Sequence, residues 1–448
     1  MKKLLCAMLT LVASASLASC GETPASSDEF KPALDTKTAC TIKVVGDYSN
    51  FEALDTYELA RFKEYYPNVE IDYRKLDSYE DSIANRLESD KTEIFCSFPK
   101  MLTDSKFAKV VAHMEDLSDP KLNLNINSIR SNLLNRDPQG KVYMVPVFSR
   151  TYGALINEDL FAKEGGKSPT TLAEFTSACE AFRAKNYASP LMGYTKADVK
   201  KGVSKPSNGL MYAVAYPLFM AELAKNPTAL ELANNLDSRA GEYTRTALQK
   251  VKDLFDKGIV NRDECDKIGD NYEKTLLRFF EGNVPMMACS GDTVSGAKKR
   301  EGKQPAYGQN PFKYSFYPLP LTEDGGYFID SPSLEFSVNK DSENLAMANE
   351  FMRFLVTTKE LDYMASVKGL ISPTQTKPFP SIYYKDGDKD TYTPIYTPFG
   401  NVPAERTISP EVIGVKDALT NQIKAASFYV GRGEMTVDEA VAKYGTFA

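Results

Sequence analysis

The chain has 448 residues, more than a single hydrophobic core usually organises, so at least two packed units are expected. Hydrophobic residues make up 42% and charged residues 25%, as in ordinary globular proteins, and a formal charge of −6 offers no basic face for nucleic acid. A single histidine and wide cysteine spacings without C-x-x-C exclude multi-histidine and paired-cysteine metal centres, so no metal or cofactor is expected.

Lys2 and Lys3 precede an apolar, small-residue run from Leu4 to Leu17. It is too short to span a bilayer comfortably and has the shape of an export signal. It ends in Leu17-Ala18-Ser19-Cys20, which resembles the bacterial lipobox, whose cysteine becomes the lipidated first residue. The plainer alternative is a secretory leader cut near Ser19. Residues 1–19 are therefore expected to be a lipoprotein signal peptide and residues 20–40 a flexible tether. Lipid on Cys20 would place the protein at the outer face of the cell membrane. Cys40, Cys96, Cys179, Cys265 and Cys289 are odd in number, so at least one is unpaired within a chain, and mostly buried thiols are expected.

Thr41 to Gly46 (TIKVVG) reads as a first strand, and Leu59, Phe62 and Tyr66 as the inner face of a helix stopped by Pro67. Val69, Ile71 and Tyr73 alternate as a second strand. Tyr79, Ile83 and Leu87 repeat as a second helix, and Ile94 to Phe98 is a third strand. This β-α-β-α-β order implies a parallel, doubly wound sheet, with ligand beyond its strand ends at Asp47–Asn50 and Ser97–Pro99. The stretch GKVYMVPVFSRTYGALINEDLF, Gly140 to Phe161, holds two extended segments joined at the polar step Arg150-Thr151-Tyr152. One strand crossing from one sheet to another explains it. A chain that leaves a lobe midway must return, so two lobes with a cleft between them are expected, Arg150 and Tyr152 at its edge.

Beyond the crossing, Thr171-x-x-Glu174 is a capping box for a helix with Leu172, Phe175, Cys179 and Phe182 on one face. Leu210 to Leu223 is an apolar, aromatic stretch. Val284 to Ala288 is a strand, and Ser290-Gly291-Asp292 after it is read as the return to the first lobe. Asp330 to Ser333, before the strand Leu334 to Val338, is read as the third crossing. The lobes are thus expected to comprise 41–149 plus 290–332, and 150–289 plus 333–448.

Several segments together carry a family likeness: TIKVVG, FKEYYP and VEIDY; GKVYMVP, INEDLFAKEG and SPTTLAEF; FFEGNVPMMACSGD; LAMANEFMRFLVTTKE and GLISPTQ; and GRGEMTVDEAV. In this order they resemble the extracellular solute-binding proteins of ABC importers, in the group similar to maltose-binding protein. The resemblance implies a two-lobed, periplasmic-binding-protein-like α/β fold of type II, with mixed, mostly parallel sheets flanked by helices and three hinge crossings. It implies no enzyme, but a monomeric receptor that closes on a small polar solute, an oligosaccharide, and hands it to permease subunits. Closure of this kind is a population shift favoured by ligand contacts to both lobes. The chain departs from the family in having no Trp, in Thr92-Glu93 where Pro-Asp is usual, and in Thr293-Val294 where an aromatic is usual. These departures bear on the ligand, not on the fold.

Sugars present flat apolar faces and a rim of hydroxyls, so their sites need aromatic platforms with charged or amide groups. The candidates are Asp47 and Tyr48, Ser97 and Phe98, Arg150 and Tyr152, Asn208 and Tyr212, Ser290 and Asp292, and Asp330 and Ser331. Each lies at a strand end, a crossing or a lobe-facing loop. Each also has a plain alternative as a turn, cap or core residue. Two other functions remain open at this level. A secreted glycoside hydrolase needs paired carboxylates that meet only in the fold. A receptor for a polyamine or other cation would use acids such as Asp47, Asp292 and Asp330. His113 follows an apolar run, Ser290 lacks a G-x-S-x-G context, and no phosphate-binding loop is present. Asp386, Asp388 and Asp390 begin like a calcium loop, but Thr391 and Thr397 stand where Gly and Glu are needed, so a solvated turn is expected.

Overall fold

The computed structural model describes residues 29–46, 59–164, 166–193, 198–200, 203–205, 210–268, 272–294, 296–368, 370–374, 383–385, 392–394 and 406–447. The calcium-like run Asp386–Asp390 lies outside them. The strands in chain order are β1 (Cys40–Gly46), β2 (Val69–Lys75), β3 (Ile94–Ser97), β4 (Val145–Arg150) and β5 (Tyr152–Asn157). Next come β6 (Leu191–Met192), β7 (Asp198–Lys200), β8 (Val203–Lys205), β9 (Met286–Ser290) and β10 (Tyr314–Tyr317). The last are β11 (Phe328–Ile329), β12 (Ser331–Val338), β13 (Tyr383–Lys385), β14 (Tyr392–Pro394) and β15 (Thr407–Ile408).

The first sheet has the order β2-β1-β3-β12-β4. β1 runs parallel to β2 and β3, as the early β-α-β-α-β pattern requires. The helix Tyr79–Ser89 buries Tyr79, Ile83 and Leu87, one side chain per turn, against this sheet's core. β12 then inserts antiparallel between β3 and β4. The second sheet has the order β10-β5-β9-β6, with β5 antiparallel to both neighbours and β6 parallel to β9. Each sheet has its own apolar core. The first draws on residues from Phe30 to Phe148 and from Phe336 to Leu370. The second draws on Ala154 to Ile329 and Ile408 to Tyr444.

Those two lists fix the passes of the chain between lobes. The first is at Thr151, between β4 and β5, where the sequence places it. The predicted return at Ser290 does not occur. β9 runs antiparallel to β5 with Ser290 opposite Tyr152, so it reaches the crossing point and stops there. The Gly291 amide donates to the Thr151 carbonyl at 2.9 Å, and the chain turns back, packing Val294, Ala297, Tyr307 and Phe312 into the second core. Residues 290–329 therefore belong with the second lobe. The second pass is at Asp330, and it leads into the first lobe, not out of it: β12 lies in the first sheet and the helix Leu345–Leu355 buries Phe351 and Phe354 in the first core. The chain belongs to the first core at Leu370 and to the second again at Ile408, which makes a third pass.

The expected tether is also shorter than 20–40. Phe30 is buried, edge-on to Tyr65 at 5.0 Å and Phe354 at 5.2 Å, with the Arg353 guanidinium 4.6 Å from its ring. The Ala33 amide donates to Glu350 Oε1 at 2.7 Å. One aromatic in a polar stretch is enough to dock it, because a ring buries so much apolar area. Cys96, Cys179, Cys265 and Cys289 are buried free thiols and Cys40 a half-buried one.

Candidate functional site

The site grows out of the crossing. Thr151 is fully buried; its Oγ1 accepts from the Ile329 amide at 3.0 Å while its carbonyl accepts from Gly291. The first pass, the second pass and the end of β9 are thereby tied at one residue. Gly153 follows, and a side chain there would overlap the Tyr317 carbonyl, so only glycine lets β5 and β10 approach.

Behind the crossing lies a closed polar network around Asp330. Arg130 meets it with both arms, Nε to Oδ2 at 2.9 Å and Nη2 to Oδ1 at 2.8 Å. Ser149 Oγ donates to Oδ1 at 2.7 Å, and Asn132 Nδ2 to Oδ2 at 2.7 Å. Asn132 also donates to Ser409 Oγ of the second lobe at 2.6 Å. The other Arg130 nitrogen donates to the carbonyls of Ser372, at 2.7 Å, and Thr374, at 3.0 Å. Both oxygens of Asp330 are thus occupied by protein donors and the side chain is buried. The sequence reading of Asp330 as a ligand contact gives way to a structural one: it pins the crossings.

Beside this network, at the crossing, stand several of the candidate residues. Arg150, next to Ser149, ends β4 half-buried and pairs with Ser331 in the ladder. Tyr152 opens β5, half-buried, with its ring edge-on to Tyr216 at 5.2 Å. Ser290 lies opposite Tyr152 at the end of β9. A small pocket lined by Tyr152, Pro217, Leu218, Leu319, Leu321 and Tyr327 adjoins it on the second lobe. The Arg406 guanidinium stacks 4.3 Å from the Tyr327 ring. Ser97 ends β3, buried, and its Oγ has no hydrogen-bond partner among the described residues. Phe98 is half-buried and set edge-on to Phe107 at 5.5 Å, so part of its ring serves the first core. Asp47, Tyr48 and Asn208 lie outside the described residues, as do the side chains of Tyr212 and Asp292.

Two acids that the sequence reading missed stand among these groups. Glu335, on β12, is buried, lies opposite Ser97 in the ladder and accepts from Asn135 Nδ2 at 3.1 Å. Glu411 belongs to the second lobe's short helix Pro410–Ile413, beside Ser409, and accepts from Ser331. Its Oε2 is buried without a partner among the described residues. Burial pushes the Glu335 carboxyl up to about 8, the Glu411 charge adds to this, and Asn135 and Arg150 oppose it. Burial likewise raises Glu411 above the usual carboxyl range, against the pull of Arg150. The backbone at Leu334 is left-handed, φ 51°, which breaks the alternation of β12 directly before Glu335. Strain of this kind, about 1 kcal/mol or more, persists where the surroundings enforce it. A signal was available for Glu335: a lone acid in the strand LEFSV, where Glu is depleted. Nothing local marks Glu411, Asn135 or Arg130.

Two separately cored lobes meeting at a cluster of polar residues define a two-lobed α/β architecture. The chain belongs to the bacterial extracellular solute-binding protein family, whose model matches residues 60–386. Solved structures of the same fold include RafE of Streptococcus pneumoniae in its apo form, at 15% identity and TM-score 0.64, covering 92% of this chain and 97% of that one. The GacH receptor of Streptomyces glaucescens, solved unliganded and with acarbose, matches at 16% identity and TM-score 0.61, over 91% and 97%. A sugar transporter of Bacillus licheniformis in complex with stachyose matches at 16% identity and TM-score 0.57, over 91% and 98%. No curated protein matches the chain by sequence. Among the described residues no helix is long and apolar enough to cross a membrane.

Proposed function

We propose that this protein is the lipid-anchored receptor of an ABC importer, which captures an oligosaccharide between its lobes and delivers it to permease subunits. The observation that carries the reading is the polar cluster at the crossing, built from both lobes: Ser97, Arg150 and Glu335 from the first, Tyr152, Ser290 and Glu411 from the second. Ligand groups bridging these would favour the closed form, which is how a clamp of this kind signals occupancy. Aromatic rings beside Tyr152 and buried acceptors at Ser97 and Glu411 suit the faces and hydroxyls of a sugar. The cargo is supported by the acarbose and stachyose complexes of its structural relatives. The anchor is supported by Leu17-Ala18-Ser19-Cys20. Asp47, Tyr48, Asn208, Tyr212 and Asp292 remain proposed contacts.

Titration of the purified protein with oligosaccharides is expected to give saturable binding without hydrolysis. Arg150→Ala is expected to weaken that binding at least tenfold while leaving the lobes folded. Turnover of the sugar would favour a hydrolase using the two glutamates, and unchanged affinity would remove Arg150 from the site. Labelled fatty acid is expected to enter the wild type and not Cys20→Ala.

A further inference from the structure

The charge of the cleft says something about the cargo that the fold does not. Glu335 and Glu411 act on one another, and Arg150 acts on both. Asp330 also acts on Glu411, but its own charge is matched by the two-armed contact with Arg130. Tyr216, edge-on to Tyr152, adds no charge here, since burial pushes its hydroxyl further up. Among the described residues, then, two carboxylates from opposite lobes, Glu335 buried and Glu411 half-buried with one oxygen hidden, share one guanidinium. Such an arrangement is costly unless a second positive group or a proton supplies the difference. In the ligand-free protein a proton does so, since Glu335 holds its own up to about 8.

Two buried atoms at this place also lack hydrogen-bond partners among the described residues: Ser97 Oγ, opposite Glu335 in the ladder, and Glu411 Oε2. Buried polar atoms are seldom left without a partner. A neutral hydroxyl could bond to them, but it would leave the second carboxylate protonated. An ammonium could bond to them and supply the missing positive charge as well. We infer that the cargo presents a protonated amine to Glu335 and Glu411, and that it is a saccharide carrying a free amino group. This rests on the reading of the cleft as a sugar site. When the amine enters, the proton held by the acid pair passes to the buffer, the ligand keeps its own, and an ammonium–carboxylate contact forms. No bond other than that O–H bond breaks.

The test is calorimetric titration of the full-length protein near pH 7, in two buffers of different ionisation enthalpy. The probes are a glucosamine trisaccharide, its fully N-acetylated form, a glucose trisaccharide and spermidine. The expected result is that the glucosamine trisaccharide binds at least tenfold tighter than either neutral saccharide and releases up to about one proton per ligand. Glu335→Gln and Glu411→Gln, close in shape to the native side chains, are each expected to lower that preference and the proton release together. Equal or tighter binding of a neutral saccharide would overturn the amine and leave the sugar receptor standing. Binding of spermidine with neither kind of saccharide would overturn the saccharide, here and in the proposed function. Binding of none of the four would overturn both.

Discussion

Asp330 and Glu335 lie on the same pass of the chain and both are buried, yet they are provisioned differently. Asp330 accepts from Arg130, Ser149 and Asn132, and a matching positive charge touches it directly. Glu335 has the amide of Asn135, a repelling neighbour in Glu411, and Arg150 shared between them. A buried acid whose every oxygen is held by the protein can only be structural. A buried acid left short of positive charge is one whose environment is completed by something else. That contrast separates hinge from site more cleanly than exposure does, since both side chains are hidden.

The largest effect should come from breaking the satisfied pair. Arg130→Met leaves Asp330 buried without its counter-charge, and releases the carbonyls of Ser372 and Thr374. A loss of about 3–5 kcal/mol is expected in urea unfolding, because a buried pair broken on one side strands a charge. A loss below about 1 kcal/mol would show that the network is not a pin.

The under-provisioned acid should behave in the opposite sense. Glu335 is protonated up to about pH 8 in the folded chain and near 4.5 when unfolded, the ordinary carboxyl value. Between those limits the native state binds more protons, so stability falls as pH rises, by at most about 1.4 kcal/mol per pH unit. Glu335→Gln is expected to flatten this slope and to stabilise the ligand-free protein at the alkaline end. Unfolding curves taken at several values across the window decide it; an unchanged slope in the variant would assign the dependence to another group.

Smaller effects sharpen the contrast further. Asn132→Ala removes one donor to Asp330 and the link to Ser409, with an expected cost of about 1–2 kcal/mol. Ser97→Ala removes a hydroxyl that bonds to nothing described, so its stability should change by less than about 0.5 kcal/mol. Its ligand affinity should nevertheless fall severalfold in the same titration. A matching loss of stability would mean that Ser97 serves the fold.

Local rules placed the elements well. The parallel start, the crossing at Arg150-Thr151-Tyr152, the helix of Tyr79, Ile83 and Leu87, and the buried thiols all follow from side-chain period and composition. Hydrogen-bond partners between strands do not, and there the reading erred. β9 and β12 are each a short apolar run, and nothing in either says which sheet will receive it. Ser290 lies beside the crossing in space, so its strand looked like a return when it is only a neighbour.

The sequence by itself determined the α/β class of the fold and the residues at the first crossing, because these rest on periodicities that a few neighbouring residues set. Only the tertiary structure decided which acids serve the hinge and which serve the cleft. Arg130, Asp330 and Ser409, like Glu335 and Glu411, are far apart in the chain, and a carboxylate's role depends on the charges folded against it.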